Sequence, residues 1–371
     1  MARDRDVAGT RGMIYLDYQA TTPLAPEALD AMLPWLRDQH ANPHSAHGPG
    51  RAAKAAIEVA RAQVAALLPA GGAISFTGGA TEALNWAIKG VGGPIVTIAT
   101  EHAAMLDTAE AVGGAVVLPV GQDGLVDLDA ARAAIRPGVK LVAAMLVNNE
   151  IGVIQPIAEL AALAHAAGAL FLCDVVQGYG RVAIPDGCDL IALSAHKIHG
   201  PKGIGALWIR DGISLAPLLH GGGQEVAGRS GTLSPALCAG FGAAAVLMAT
   251  RRDQDRAHVE KLWSSARAAL GAEWIVNGSV DQRYRGNLNI RRDGLDVARL
   301  MSDLRDIAFS AGSACASGSG RPSHVLEAIG LSDAQARNSI RIGFGRYTTE
   351  EELVNALQRI DDAARAQRIA A

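Results

Sequence analysis

Three short stretches carry residue types suited to one piece of chemistry. Phe76-Thr-Gly-Gly-Ala-Thr-Glu82 turns through two glycines into a helical pattern. The free N–H groups and positive dipole end of such a helix start bind anions. Asp174 follows the apolar run Ala169–Cys173, with Gln177 just beyond; a carboxylate ending a buried strand has to be hydrogen-bonded or paired. Lys197 closes Ser194-Ala-His-Lys197 after the run Asp189–Leu193 and leads into Gly200-Pro-Lys-Gly-Ile-Gly205. Desolvated at a strand end, a lysine gains the lowered pKa that suits Schiff-base chemistry. Taken singly, these are a Thr-capped helix, a turn-capping aspartate and a solvated lysine. Together they supply a phosphate cradle, an acid for a pyridinium nitrogen and an amine for an aldehyde, the set that pyridoxal 5'-phosphate (PLP) requires. Positions 174 and 197 lie 23 residues apart, enough for one strand-to-strand step. The glycine turn has no P-loop lysine and no GxGxxG, which disfavours a Walker or Rossmann nucleotide site.

The elements that must position these groups are legible as an alternation of β-rich runs and alanine-rich helical patterns from about residue 73 to 210. Candidate strands are Ile95–Ala99, Ala115–Pro119, Leu141–Val147, Ala169–Cys173, Asp189–Leu193 and Gly205–Ile209. Helical stretches include Thr81–Lys89, Leu128–Ala134 and Ile157–Ala166. Apolar runs without clean alternation imply strands covered on both faces, hence an α/β domain with a mostly parallel sheet. Ligands of such sheets gather at the carboxyl ends of the strands. Past residue 250 the texture changes: a charged helix from Arg251 to about Leu270, strands near Trp274–Val276 and Asn287–Ile290, helix Val297–Asp303, and a strand around Ser339–Gly343. Between the last two lies a Gly/Ser-rich loop, 310–320; Thr349 with Glu352 forms a capping box for the terminal helix. The expected division is a large domain over 21–250 and a smaller α+β domain made of 1–20 and 251–371.

Composition limits the function. The chain has 371 residues, 49% hydrophobic and 19% charged, with a net charge of −3. That is ample for two cores and gives no general attraction to nucleic acid or anionic membrane. Aromatics at 4% make a base-stacking platform improbable. Four cysteines (Cys173, Cys188, Cys238, Cys315) are too few for a disulfide scaffold and form no CxxC pair, pointing to a reducing compartment. Residues 1–12 lack the apolar run of a secretory signal, and Asp4 and Asp6 argue against a transit peptide. The expected location is the cytoplasm, with no membrane or nucleic-acid partner. The histidines lack ligand spacing with one another, so no metal site is expected.

Beyond these groups runs a series of longer motifs. They are Tyr15-Leu-Asp-Tyr-Gln-Ala-Thr-Thr-Pro23, Asn42-Pro-His-Ser-Ala-His47, Gly79-Ala-Thr-Glu82, Thr100-Glu-His102 and Val147-Asn-Asn-Glu-Ile-Gly152. Ser194-Ala-His-Lys197, His220-Gly-Gly-Gly-Gln-Glu225, Arg229-Ser-Gly-Thr232, Ser310-Ala-Gly-Ser-Ala-Cys-Ala-Ser-Gly318 and Ser339-Ile-Arg341 follow in order. In this order the series resembles the NifS/IscS-type cysteine desulfurases among the class V aminotransferase-like PLP enzymes. The resemblance spans roughly residues 13–350 and implies the aspartate aminotransferase-like fold type I.

It also implies roles. Lys197 would hold PLP as a Schiff base, Asp174 would pair with the ring nitrogen, and His102 would stack on the ring, placed for proton transfer. Ala80 and Thr81, joined by Ser194 and His196, would bind the phosphate. Gln177 would touch the ring hydroxyl and Asn149 the cofactor or substrate. Thr232 resembles the position that reaches the neighbouring subunit's phosphate, implying a homodimer. Arg341 would grip the substrate carboxylate through a bidentate fork, with Asn42 nearby.

Cys315 separates desulfurase from other PLP chemistry. It stands in a Gly/Ser/Ala run that permits a mobile loop, whereas Cys173, Cys188 and Cys238 read as small buried hydrophobes. The implied reaction converts L-cysteine to L-alanine and a persulfide on Cys315. Lys197 abstracts the Cα proton, and the sulfur passes to an acceptor protein for iron–sulfur assembly or tRNA thiolation. Transient iron–sulfur ligation by Cys315 is the one exception the resemblance allows to the absence of a metal. Three features depart from the family: Gly78 replaces a usual serine, Val175 and Val176 replace small and hydroxyl residues beside the aspartate, and the tail 366–371 is short for scaffold contacts. A selenocysteine lyase, an aminotransferase or a non-catalytic PLP fold are the alternative readings.

Overall fold

The computed structural model describes residues 12–225, 228–312 and 323–369, with side chains to 367. Cys315 and most of the 310–320 loop lie outside the described residues.

The alternating runs assemble into one seven-stranded sheet. Its spatial order is Gly72–Thr77, Gly205–Arg210, Leu190–Ser194, Leu170–Asp174, Leu141–Met145, Ile95–Ile98 and Ala115–Leu118. Gly205–Arg210 runs antiparallel to both neighbours, and the strands from Leu190–Ser194 to Ala115–Leu118 pair in parallel. Each expected strand is present, with ends shifted by no more than two residues. Asp174 and Ser194 prove to be the last residues of their strands rather than lying beyond them.

Apolar residues fill both faces of the sheet. One face packs Phe76, Phe171 and Trp208 against helices Gly48–Ala65 and Pro235–Thr250, with Ile57, Val64 and Phe241 at the contact. The other packs Leu172, Leu190 and Leu207 against helices Ala80–Val91 and Ala103–Ala111 through Trp86, Ile88 and Met105. This two-sided burial is why the strand sequences are continuous rather than alternating. The edge strand differs: Val116 and Val117 are exposed, at the end of the sheet where the strand has one neighbour instead of two.

Past residue 250, helices Arg252–Ala269 and Glu350–Ile369 pack on a four-stranded antiparallel sheet ordered Ser310–Ala311, Ser339–Gly343, Asn287–Arg291 and Ile275–Val276. Its core of Leu262, Leu288, Ile342 and Leu357 is separate from the first two. The Thr349–Glu352 capping box forms, with Glu352 N donating to Thr349 Oγ1 at 3.1 Å and Thr349 N to Glu352 Oε2 at 2.9 Å. The early segment Ile14–Tyr15 returns to this region as a parallel partner of Ile307–Ala308. No helix among the described residues is long and apolar enough to cross a membrane.

Candidate active site

Parallel strands that end side by side place their last residues, and the turns that follow, around one opening. The turns after Thr77, Ile98, Met145, Asp174 and Ser194 surround a cavity of about 590 Å³. Ten of the residues expected in the site line it: Ala80 and Thr81, His102, Asn149, Asp174 and Gln177, Ser194, His196 and Lys197, and Arg341. Two others do not. Asn42 is exposed and its Oδ1 accepts from His44 N at 2.9 Å, closing its own turn. Thr232 is exposed on the surface.

The floor is acidic. Asp174 is 5% exposed, and its Oδ1 accepts from Val176 N at 2.8 Å. Burial pushes its carboxyl up, while the Val176 N–H and the charges of His102 and Lys197 pull it back down. These mutual effects put acid, histidine and lysine in one electrostatic neighbourhood. Beneath lies Glu101, fully buried, whose Oε1 accepts from Met145 N at 2.5 Å. Burial first, and then the charge of Asp174, push Glu101 well above the carboxylate range.

Lys197 ends a single 3₁₀ turn, Ala195–Lys197, directly after its strand. Its Nζ donates to the Gln19 carbonyl at 2.6 Å and the Ala20 carbonyl at 2.8 Å. His102 caps helix Ala103–Ala111, its Nδ1 accepting from Ala104 N at 3.0 Å. In that bond Nδ1 is the acceptor, so the Nε2 edge of the ring is the one left to face the cavity. Gln177 is buried, its Nε2 bonded to the Gln19 carbonyl at 3.0 Å. Burial, with Lys197 and Lys202 nearby, lowers His196 to about 4, so it is a neutral donor or acceptor at neutral pH.

The anion end forms where helix Ala80–Val91 starts after Gly78 and Gly79. Gly78 N donates to Glu82 Oε2 at 2.6 Å, so the turn keeps its geometry without the family's serine hydroxyl. The helix start can approach the sheet because position 205 is glycine: a Cβ there would lie 2.7 Å from Gly79 C and 2.4 Å from the Leu193 carbonyl oxygen. Val176 lines the cavity and Val175 is fully buried in the core, which accommodates the two departures beside the aspartate.

Arg341 enters from the smaller sheet. It is 2% exposed, with Nη1 donating to the Asn149 carbonyl at 3.1 Å and Nη2 to Asp17 Oδ1 at 2.9 Å. Its Nε finds no acceptor among the described residues. Asp17 was given no role by the sequence, although it sits in a recognised motif; its job is to pair with Arg341 across 324 residues of chain. Gln19 and Ala20, from the same motif, supply the carbonyls under the lysine. Two further ion pairs escaped the sequence reading. Glu225, 3% exposed, accepts from Arg61 at 2.7 Å and from Phe76 N at 2.8 Å, and Arg229 donates to Glu82 at 2.9 Å. They pin the segment leading to Thr232 against the strand and helix of the anion end. Cys173, Cys188 and Cys238 are all buried free thiols.

A buried acid, a lysine amine and a helix start on adjacent strand ends fit a cofactor with a basic ring nitrogen, an aldehyde and a phosphate. Comparison with known proteins agrees. The class-V aminotransferase model matches residues 14–356. The chain is 42% identical to the cysteine desulfurase IscS of Rickettsia bellii, covering 94% of this chain and 90% of that one. With the mitochondrial cysteine desulfurase of Saccharomyces cerevisiae it shares 46% identity over 95% of this chain and 75% of the relative. The NifS-like protein of Rickettsia africae superposes with a TM-score of 0.87 at 31% identity, covering 95% and 99% of the two chains. The chain belongs to the class-V aminotransferase family of fold type I PLP enzymes. Within it, the chain is a NifS/IscS-like, PLP-dependent cysteine desulfurase.

Proposed function

We propose that the protein converts L-cysteine to L-alanine and a persulfide on Cys315, using the residues gathered around the cavity. The observation that carries this reading is the convergence of Asp174, His102 and Lys197 on one cavity, with Arg341 in its wall. PLP, when bound, supplies an aldehyde for amine capture and a ring that accepts the electrons of the broken Cα–H bond. Lys197 Nζ would hold the aldehyde and, as a free amine, would take the proton from the substrate Cα. Asp174 would pair with the ring nitrogen and favour its protonated, electron-withdrawing form. His102 would cover the ring, placed for proton transfer. Ala80 and Thr81 offer helix-start N–H groups to the phosphate, with Ser194 and His196 beside them; Gln177 meets the ring hydroxyl and Asn149 the bound amino acid. Arg341, already oriented by Asp17, binds the substrate carboxylate, with Asn42 as an accessory contact. The Cys315 thiolate attacks the substrate sulfur; the Cβ–S bond breaks, the S–S bond forms, and protonation of carbon gives alanine.

The persulfide sulfur then goes to an acceptor protein, an iron–sulfur scaffold foremost and a tRNA-thiolation protein second. The reaction runs in a homodimer, in which the exposed Thr232 reaches the partner's phosphate site; the pinning of its segment by Glu225 and Arg229 supports this. The chain works in the cytoplasm, as a large domain over 21–250 with a small one from 1–20 and 251–371. The separate core around Leu288 and the pairing of Ile14–Tyr15 with Ile307–Ala308 support that division.

Mass spectrometry after incubation with L-cysteine tests the assignment. One added sulfur on Cys315, with alanine released, is expected. Sulfur on Cys173, Cys188 or Cys238, or undiminished sulfur release by Cys315→Ala, would overturn it. Survival of selenocysteine lyase activity or transamination in that variant would favour the alternative chemistries.

A further inference from the structure

A second cavity, of about 340 Å³, opens behind the active site, between the segment that follows Gln177, helix Arg252–Ala269 and the turns flanking strands Asn287–Arg291 and Ser339–Gly343. Its lining is strongly cationic although the chain as a whole carries a net charge of −3. Six arginines face it against two carboxylates. The carboxylates are already engaged: Asp255 with Arg346 at 2.5 Å and Glu260 with Arg285 at 2.5 Å. That leaves Arg181, Arg252, Arg256 and Arg283 without a carboxylate among the described residues.

The four are placed for different tasks. Arg283 is 4% exposed; its Nη2 donates to the Ile151 and Asn287 carbonyls at 2.7 and 3.0 Å, and its guanidinium lies 4.9 Å over the Trp263 ring. Neutral partners fix its position and leave its charge uncompensated, and its Nε has no acceptor. The same holds for Nη1 of Arg346, in the same wall. Arg252 and Arg256, one turn apart on helix Arg252–Ala269, are exposed at the mouth. Arg181 joins this cavity to the first: it donates to the Gln177 carbonyl at 3.2 Å and to the Lys197 carbonyl. The histidine in the wall, His199, is buried and neutral, so it adds no charge.

Burying a cation without a counter-charge is unfavourable, and guanidinium groups pair best with oxyanions through paired N–H bonds. A volume of 340 Å³ falls in the range of small-molecule sites, about 300–1,000 Å³. We propose that this cavity binds a small polyvalent oxyanion, an organic phosphate or a polycarboxylate, held by Arg252 and Arg256 at the mouth and by the field of Arg283 within. Such a ligand bridges the smaller core to Arg181, and through it reaches the backbone of the catalytic lysine without entering the catalytic cavity.

Isothermal titration of the PLP-loaded protein, whose own phosphate site is filled, tests this with pyrophosphate and citrate as probes. One equivalent per chain is expected to bind, with affinity that falls as salt rises. The stronger of the two probes distinguishes an organic phosphate from a polycarboxylate ligand. The double variant Arg252→Ala/Arg256→Ala, both exposed positions, is expected to lose tenfold or more in affinity, and Arg256→Lys less, with cysteine turnover in the absence of probe unchanged. No binding of either probe at millimolar concentration would overturn the proposal, as would binding undiminished in the double variant.

Discussion

The close approach of Gly205 to Gly79 makes a prediction that the motif alone reverses. Gly79 belongs to a recognised motif and Gly205 does not, so sequence reasoning would protect position 79. Yet a Cβ on Gly79 meets nothing within 4 Å, whereas one on Gly205 would lie 2.4, 2.7 and 2.8 Å from the Leu193 carbonyl oxygen and from C and Cα of Gly79. Ordinary contact begins at 3.4 Å, so the shortfall is about 0.6–1.0 Å, and all three atoms are backbone. One neighbour is a strand paired on both sides; the other is the helix start, which must be what yields. Overpacking of this kind costs about 1–3 kcal/mol, and three backbone contacts place Gly205→Ala near 3. At about 2 °C per kcal/mol for a chain of this size, the apo-protein Tm should fall by about 6 °C. The displaced helix start should weaken PLP binding about tenfold or more, because misplacement approaching 1 Å weakens every N–H bond to the phosphate. Gly79→Ala should leave the apo Tm within about 1 °C, since its extended backbone suits any residue. Scanning calorimetry of both apo variants with PLP titration decides it. A stable Gly205→Ala, or a Gly79→Ala that loses as much, would refute the packing argument.

Asp174→Asn should separate activity from stability: alanine formation should drop about 10²–10³-fold, while apo stability holds or rises because burial disfavours the charged carboxylate, as calorimetry and an alanine assay would show. Burial lowers His199 to about 3, so between there and the unfolded value of 6.5 the unfolded chain binds more protons and stability falls as pH falls. From pH 8 to 5 the loss should be about 2 kcal/mol, and His199→Asn, tolerant of the φ of 68° at that position, should flatten the urea-unfolding profile. Glu225→Gln strips the charge facing the Arg61 guanidinium and should cost about 2–3 kcal/mol, loosening the segment before Thr232; sedimentation should show the proposed dimer weakened.

Much of this architecture is legible because local physics specifies it. Strands covered on both faces must be apolar throughout, helix starts need caps, and catalytic groups gather where parallel strands end. Hence the strands from Ile95 to Arg210 and the trio of helix start, Asp174 and Lys197 follow from neighbours within a few residues. What the sequence hides is long-range. The Asp17–Arg341 pair, the carbonyls of Gln19 and Ala20 under Lys197, and the clearance at Gly205 each join segments more than 100 residues apart, and no periodicity encodes such meetings. Glu101 escaped for another reason: a charged residue letter gives no sign that burial will push its carboxyl up. Asn42 and Thr232 were assigned by resemblance, and a single chain leaves both on its surface.

Asp17 meets Arg341 across 324 residues of chain, and Ile14–Tyr15 pairs with Ile307–Ala308. Contacts this remote form late in folding, because the long loop they close must first lose its freedom. The central sheet, with Asp174 and Lys197, can therefore assemble from nearer neighbours while the wall that carries Arg341 still stands open. A refolding chain should regain its strands before it regains that ion pair.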